Sequence, residues 1–155
     1  VDNVMSLAYS VLRHSVLPSL LNVEAARSKA FYPHRIFEAG EVAVFDRAEN
    51  LGSRTDLHVG ALISHPAANF SEMHSTLDVL LYSLGVEYRL EPSEHPLFLA
   101  GRCGKVVTGG AVLGFIGEVR PEVLEGRQIT MPCAAFEIDL QKILGMSEGD
   151  RPRAA

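Results

Sequence analysis

Apolar residues recur along this chain with two periods, and the places where the period changes divide it into elements. From Val16 to about Ser28, Leu17, Leu20, Leu21, Ala25 and Ala26 share one face of a helix. Ser15 suits the N-cap, and Pro18 is tolerated in the first turn, where its missing N–H costs nothing. Tyr32-Pro33 stops this helix, because a residue before proline avoids the α region. A second stripe runs from Asn69 to Leu84, where Met73, Leu77, Leu80, Leu81 and Leu84 fall at helical spacing. Asn69 followed by Glu72 fits a capping box, and Gly85 is placed to end the helix. Shorter helical turns are expected over 4–12, after Arg120-Pro121-Glu122 as far as Gly126, and over 141–144.

The other period is two. Arg35 to Phe45 reads as a strand rich in β-branched and aromatic residues, and Leu57 to Ser64 as its hairpin partner across a polar tip over 46–56. Val86 to Glu91 is a further strand. Arg102 to Val107 and Ala111 to Val119 are joined at Gly109-Gly110, a pair suited to a two-residue primed turn. From Cys133 to Leu140, Phe136, Ile138 and Leu140 alternate with Glu137 and Asp139, which predicts a half-buried strand. About six hairpin-connected strands and two main helices predict an α+β domain, an antiparallel sheet with helices against one face. The domain is expected over 1–144, with a polar tail over 145–155 and no internal repeat.

Composition narrows the function classes. The chain has 155 residues, 47% of them apolar, enough to build one core. Its formal net charge is -5, the wrong sign for a free-standing nucleic-acid binder, so any RNA contact is local or supplied by a partner. Cys103 and Cys133 form neither a CxxC pair nor a disulfide framework, which suits a reduced cytoplasmic protein. No apolar run approaches the ~20 residues needed to span a bilayer. The chain opens at Val1 rather than Met and reads as part of a longer polypeptide.

A search for chemistry returns little. His14, His34, His58, His65, His74 and His95 show no tight metal-ligand spacing, and no metal is expected. Glycines 109, 110, 114 and 117 fit neither GxGxxG nor GxxxxGK[ST] and read as close packing or a bulge. Ser93-Glu94-His95 is not a triad, since neighbours cannot line up as nucleophile and base. Glu118, Glu137 and Asp139 are strand carboxylates. They are candidates for acid–base work or magnesium, or simply solvent-facing.

Four stretches then come together in order. They are Leu12-Arg13-x-Ser15-x-Leu17-Pro18-x-Leu20-Leu21, Arg35-Ile36-Phe37-Glu38-Ala39-Gly40-Glu41-Val42, His95-Pro96-x-Phe98-x-x-Gly101-Arg102, and Gly114-Phe115-Ile116-Gly117-Glu118-Val119-Arg120-Pro121-Glu122-Val123-Leu124. The last leads into Phe136-Glu137-Ile138-Asp139-Leu140. Over residues 1 to 144 this set resembles the core domain of phenylalanyl-tRNA synthetase β subunits, closest to the archaeal and eukaryotic type. The chain departs from the family's habit at Asn3-Val4 and at Arg120-Pro121.

The resemblance implies an antiparallel fold of the class II aminoacyl-tRNA synthetase kind, flanked by helices. It also implies a division of labour. In the family the α subunit activates phenylalanine with ATP and magnesium and charges tRNA, while the β core is catalytically silent and packs against α in an (αβ)2 assembly. No catalytic, ATP-binding or metal residue and no bound cofactor is therefore expected here. The Phe-Arg-x-Glu motif of catalytic class II domains has only Arg35-Ile36-Phe37-Glu38 as a near match. The helix after Leu140 lacks the glycine run and arginine of their last motif. Arg13, Leu17, Leu20, Leu21, Arg35 and Phe37 become the candidate subunit interface, with Leu17, Leu20 and Leu21 readable as interface or core. Arg102, Glu118 and Glu137 become candidate liners of the empty active-site position. Two other readings stay open: a free-standing amino-acid- or nucleotide-binding domain, and an independent hydrolase or metalloenzyme.

Overall fold

The structure is a computed structural model that describes residues 12–27, 30–47 and 52–146. The turn expected over 4–12 and the tail over 145–155 fall almost wholly outside these residues, as do Asn3-Val4, Ser28 and the middle of the first hairpin tip.

The chain runs α1 (Leu17–Ala26), β1 (His34–Phe45), β2 (Ser53–Ser64), α2 (Phe70–Ser83), β3 (Arg89–Pro92), β4 (Phe98–Thr108), β5 (Ala111–Val119), α3 (Pro121–Glu125), β6 (Cys133–Asp139) and α4 (Leu140–Gly145). The strands form one six-stranded sheet in the order β1-β2-β6-β5-β4-β3, with every neighbouring pair antiparallel. Strand β6, last in the chain, inserts between the hairpin β1–β2 and the meander β3–β4–β5. That insertion makes one sheet of two hairpin systems.

Helices cover both faces, which corrects the one-face expectation. On one face Leu17, Leu20 and Leu21 of α1 pack with Leu62, Cys133, Ala135, Phe98 and Leu124 of α3. On the other, Met73, Leu77 and Leu81 of α2 pack with Ile63, Ile116, Ala134, Phe136, Ile138 and Ile143 of α4. The reason lies in the central strands. Cys133, Ala134, Ala135 and Phe136 are all buried, so β6 is sandwiched rather than half-exposed. A strand buried on both faces needs cover on both.

Helix α2 forms as its pattern dictates. The Glu72 N–H donates to Asn69 Oδ1 at 3.0 Å and apolar residues line its inner face. Helix α1 differs. Its cap position is Val16, which offers no side-chain bond, and Ser15 stands one residue earlier. Gly109 and Gly110 turn the β4–β5 hairpin with φ of 54° and 84°, values only glycine adopts without strain. Gly114 and Gly117 serve close packing. A Cβ at Gly117 would stand 2.6 Å from the Phe98 ring, and one at Gly114 would strike the Glu137 carbonyl.

Candidate functional site

Alternation along β2 and β6 gathers the site. Asp56 and His58 stand two apart on β2, on the face that carries α1. Register then sets Asp139 opposite His58 and Glu137 opposite Gly60. These four side chains line a cavity of about 340 Å³ with Arg54, Lys142, His95, Phe98, Phe115 and Val44.

The carboxylates and cations lining this cavity are paired. Glu137 Oε1 lies 2.7 Å from His58 Nδ1. Its Oε2 accepts from the Ser15 hydroxyl and from the Val16 and Leu17 amides, the latter two at 3.0 and 3.3 Å. Glu137 thus caps α1 from across the chain. Arg54 Nε and Nη2 bind the two oxygens of Asp56 at 2.8 and 2.9 Å, and Nη1 reaches Asp46 at 2.7 Å. Asp139 Oδ1 accepts the Lys142 amide at 2.9 Å, and its Oδ2 lies 3.2 Å from Lys142 Nζ.

These contacts decide the charges. Burial pushes the Glu137 carboxyl up, but His58, Ser15 and the Val16 amide outweigh it and hold the group below its ordinary value. The Arg54 guanidinium holds Asp56 below the carboxylate range against the effect of burial. His95, packed 4.9 Å from the Phe115 ring and 5.2 Å from Phe98, is pushed below the ordinary imidazole value by burial. The site is therefore an ionised, hydrogen-bonded network with an aromatic wall. Asp56, His58 and Asp139 also place one ligand atom each within 4.8 Å of one another. Sequence spacing missed this trio because Asp139 comes from another strand.

The residues expected from the sequence are placed quite differently from one another. Arg102, Glu118 and Glu137 do not line one site. Glu118 accepts from the Phe70 amide at 2.9 Å and from Arg102 Nη1 at 3.2 Å on the α2 face, while Glu137 serves α1 on the opposite face. Side chains three apart on paired strands point oppositely, and Glu137 is registered with Phe115. Nor are the strand carboxylates solvent-facing, since Asp139 is only 4% exposed. Leu17, Leu20 and Leu21 are at most 3% exposed and belong to the core, each contributing roughly 1.5–3 kcal/mol. Arg35 and Phe37 are exposed on β1, and Arg35 pairs with Glu72 at 2.8 Å. Arg13 fastens residues 12–14 along β1, with its Nε on the Glu41 carbonyl at 2.9 Å and its guanidinium on Glu38.

Comparison with known proteins places the domain. The family described as the phenylalanyl-tRNA synthetase beta chain CLM domain matches residues 1–140. The chain belongs to this family. A phenylalanine–tRNA ligase beta subunit of Thermococcus kodakarensis is 36% identical over 140 residues, 90% of this chain and 24% of that protein. One of Treponema pallidum subsp. pallidum is 35% identical over 144 residues, 93% of this chain and 24% of the relative. This CLM domain thus spans about a quarter of the length of these relatives.

Among solved structures, a pyrrolysyl-tRNA synthetase of Desulfitobacterium hafniense superposes with a TM-score of 0.72 at 18% identity, over 90% of this chain and 51% of that one. The fold of the CLM domain is thus the class II synthetase type, as its family resemblance implied. Among the described residues no helix is long and apolar enough to cross a membrane. Both cysteines of the domain are free and buried.

Proposed function

We propose that this CLM domain is a catalytically silent part of the β subunit of a cytoplasmic phenylalanine–tRNA ligase, and that it packs against the α subunit in an (αβ)2 assembly. The observation that carries this reading is the state of the cavity on the α1 face. Adenylation develops charge on an in-line phosphate and needs guanidinium forks or metal to meet it. One arginine, Arg54, is among the residues lining the cavity, and its donors are already held by Asp46 and Asp56. Lys142 is engaged by Asp139 and by the Val112 carbonyl at 3.2 Å. In this reading ATP and magnesium serve the assembly, and tRNA meets the domain through it.

The outward face of β1 supports the docking half of the proposal. Phe37 and Phe45 are 79% and 70% exposed on the side of the sheet that carries α2. Exposed aromatics on a strand face, here with Ala39, Glu41 and Ala43 between them, are the kind of residue that another subunit covers. Co-expression with the α subunit tests the proposal. A stable complex that charges tRNA only when the whole β chain is present is the expected result. A chain that stays a monodisperse monomer beside α overturns it.

The aromatic-walled cavity favours one second reading, a domain that binds an amino acid or nucleotide on its own. Calorimetric titration with phenylalanine and with ATP separates the two. Heat from either ligand supports binding, and none from both removes it.

A further inference from the structure

We propose that Asp56, His58 and Asp139 form a site for one divalent transition-metal ion of the zinc class. The proposal does not depend on the reading of the domain as silent, and an ion bound in this cavity would count against that reading while leaving the subunit docking untouched.

The three donors come from two adjacent strands and face one cavity. Their ligand atoms lie within 4.8 Å of one another, and both aspartates are buried. A zinc ion with bonds near 2 Å holds its ligand atoms roughly 3.3 Å apart, so modest rotation of the side chains closes the set. One imidazole beside two carboxylates selects a borderline ion over magnesium, which takes oxygen ligands and keeps its waters.

His58 is already prepared as a ligand. Its Nδ1 faces Glu137 Oε1 at 2.7 Å, which leaves Nε2 as the coordinating nitrogen. A carboxylate on the far nitrogen fixes the tautomer, orients the ring and raises its basicity, as such partners do in zinc sites. Glu137 is itself held by the α1 amides and Ser15, so the orientation rests on a rigid element.

Charge is also arranged for an ion. Three carboxylates meet only two cations here, and each cation has a second partner outside the trio. Arg54 keeps Asp46 at 2.7 Å if it leaves Asp56, and Lys142 keeps the Val112 carbonyl at 3.2 Å if it leaves Asp139. Both cationic side chains are more than two-fifths exposed, so an incoming ion would displace each outward onto that second partner. Three protein ligands leave a fourth position open to the cavity for water.

Calorimetric titration of the 155-residue chain with zinc chloride, after chelator treatment and dialysis, tests the proposal. One equivalent is expected to bind. His58→Ala and Asp139→Asn, the latter keeping an oxygen to cap α4, are each expected to weaken binding at least tenfold. Lys142→Met removes a competing cation from an exposed position and is expected to tighten binding severalfold. Because that gain needs a folded site, the test survives a His58 variant that fails to fold. Absence of binding by the parent chain overturns the proposal, as does binding that all three variants leave unchanged.

Discussion

Glu118 and Glu137 stand on opposite faces of one sheet, and each receives the backbone amide that opens a different helix. Glu118 takes the Phe70 amide of α2 at 2.9 Å, and Glu137 takes the Val16 amide before α1 at 3.0 Å. The first N–H groups of a helix have no partner within it, and a carboxylate there meets both the donors and the dipole. The consequences differ because the surroundings do. Glu118 has the exposed Arg102 beside it, whereas Glu137 is flanked by His58 and Ser15 inside the cavity. Glu137→Ala strands the amides and the imidazole together and is expected to cost about 3 kcal/mol. Glu118→Ala, on a helix that keeps its Asn69 cap, is expected to cost about 1 kcal/mol. Urea unfolding followed by circular dichroism reads both, and equal losses would contradict the assignment.

Stability should fall in two stages as pH is lowered. His95 is half-buried against Phe98 and Phe115 and titrates below its ordinary 6.5, so the unfolded chain takes a proton before the native one. Its contribution is complete above pH 6.5 and is lost as pH falls through the lower native value. Glu137 and Asp56 are likewise held below their ordinary 4.5 and 3.8, so their contribution is present above those values and disappears beneath them. Tm measured against pH should therefore decline gently below 6.5 and steeply below 4.5. His95→Phe should erase the first decline, and Glu137→Gln should shallow the second. A Tm that holds level from pH 7 to pH 4 would contradict both assignments.

Local signals carried the fold, and distant ones carried the site. Asn69, Glu72 and the leucine stripe marked α2 to within a residue because cap and stripe lie inside the helix itself. Gly109-Gly110 marked its turn for the same reason. Ser15 was half of the cap: its hydroxyl accepts the Leu17 amide at 3.2 Å, while the Val16 amide goes to Glu137, 121 residues away. Alternation of Glu137 and Asp139 with Phe136 and Ile138 resembles a half-exposed strand. It cannot show that α1 and the cavity sit over the polar side. The run Cys133-Ala134-Ala135-Phe136 was the available sign of burial on both faces. The pairing of His58 with Asp139 followed only from β6 inserting beside β2, a choice of strand order invisible to periodicity.

The strand glycines make a sharper prediction. A Cβ at Gly114 would strike the Glu137 carbonyl and lie 2.8 Å from the Ile138 Cα, both backbone of the neighbouring strand. Backbone in the middle of a sheet cannot retreat without breaking the ladder that holds β5 to β6. Gly114→Ala is expected to cost at least about 3 kcal/mol or to abolish folding. Gly145→Ala, where nothing lies within 4 Å of the added carbon, should be close to neutral. Soluble yield and thermal melts of the two variants check this contrast, and a stable Gly114→Ala chain would show that β5 and β6 are not packed this closely.

The thiols should be inert until the domain opens. Cys133 is 2% exposed beneath α1, and burial pushes its thiol up to about 11. Cys103 is 7% exposed and is raised by burial as well. Only the thiolate attacks, so both residues are protected by access and by protonation at once. Neither should react with a disulfide reagent at pH 8 in the native state, and both should react in denaturant. Prompt labelling of Cys133 in the native chain would contradict its place in the core.

Phe37 and Phe45 test the proposed docking without disturbing the fold. Both are largely exposed on β1, so replacing them removes little buried surface from the isolated domain. Phe37→Ser with Phe45→Ser should change stability by no more than about 0.5 kcal/mol. If the α subunit covers this face of β1, the same pair should weaken the complex at least tenfold, since exposed aromatics at an interface centre carry much of its energy. Leu20→Ala should do the reverse, costing about 3 kcal/mol of stability because Leu20 is core rather than surface. Affinity for α measured beside unfolding free energy separates the two effects. A Phe37/Phe45 variant that binds α undiminished would move the interface away from this face of β1.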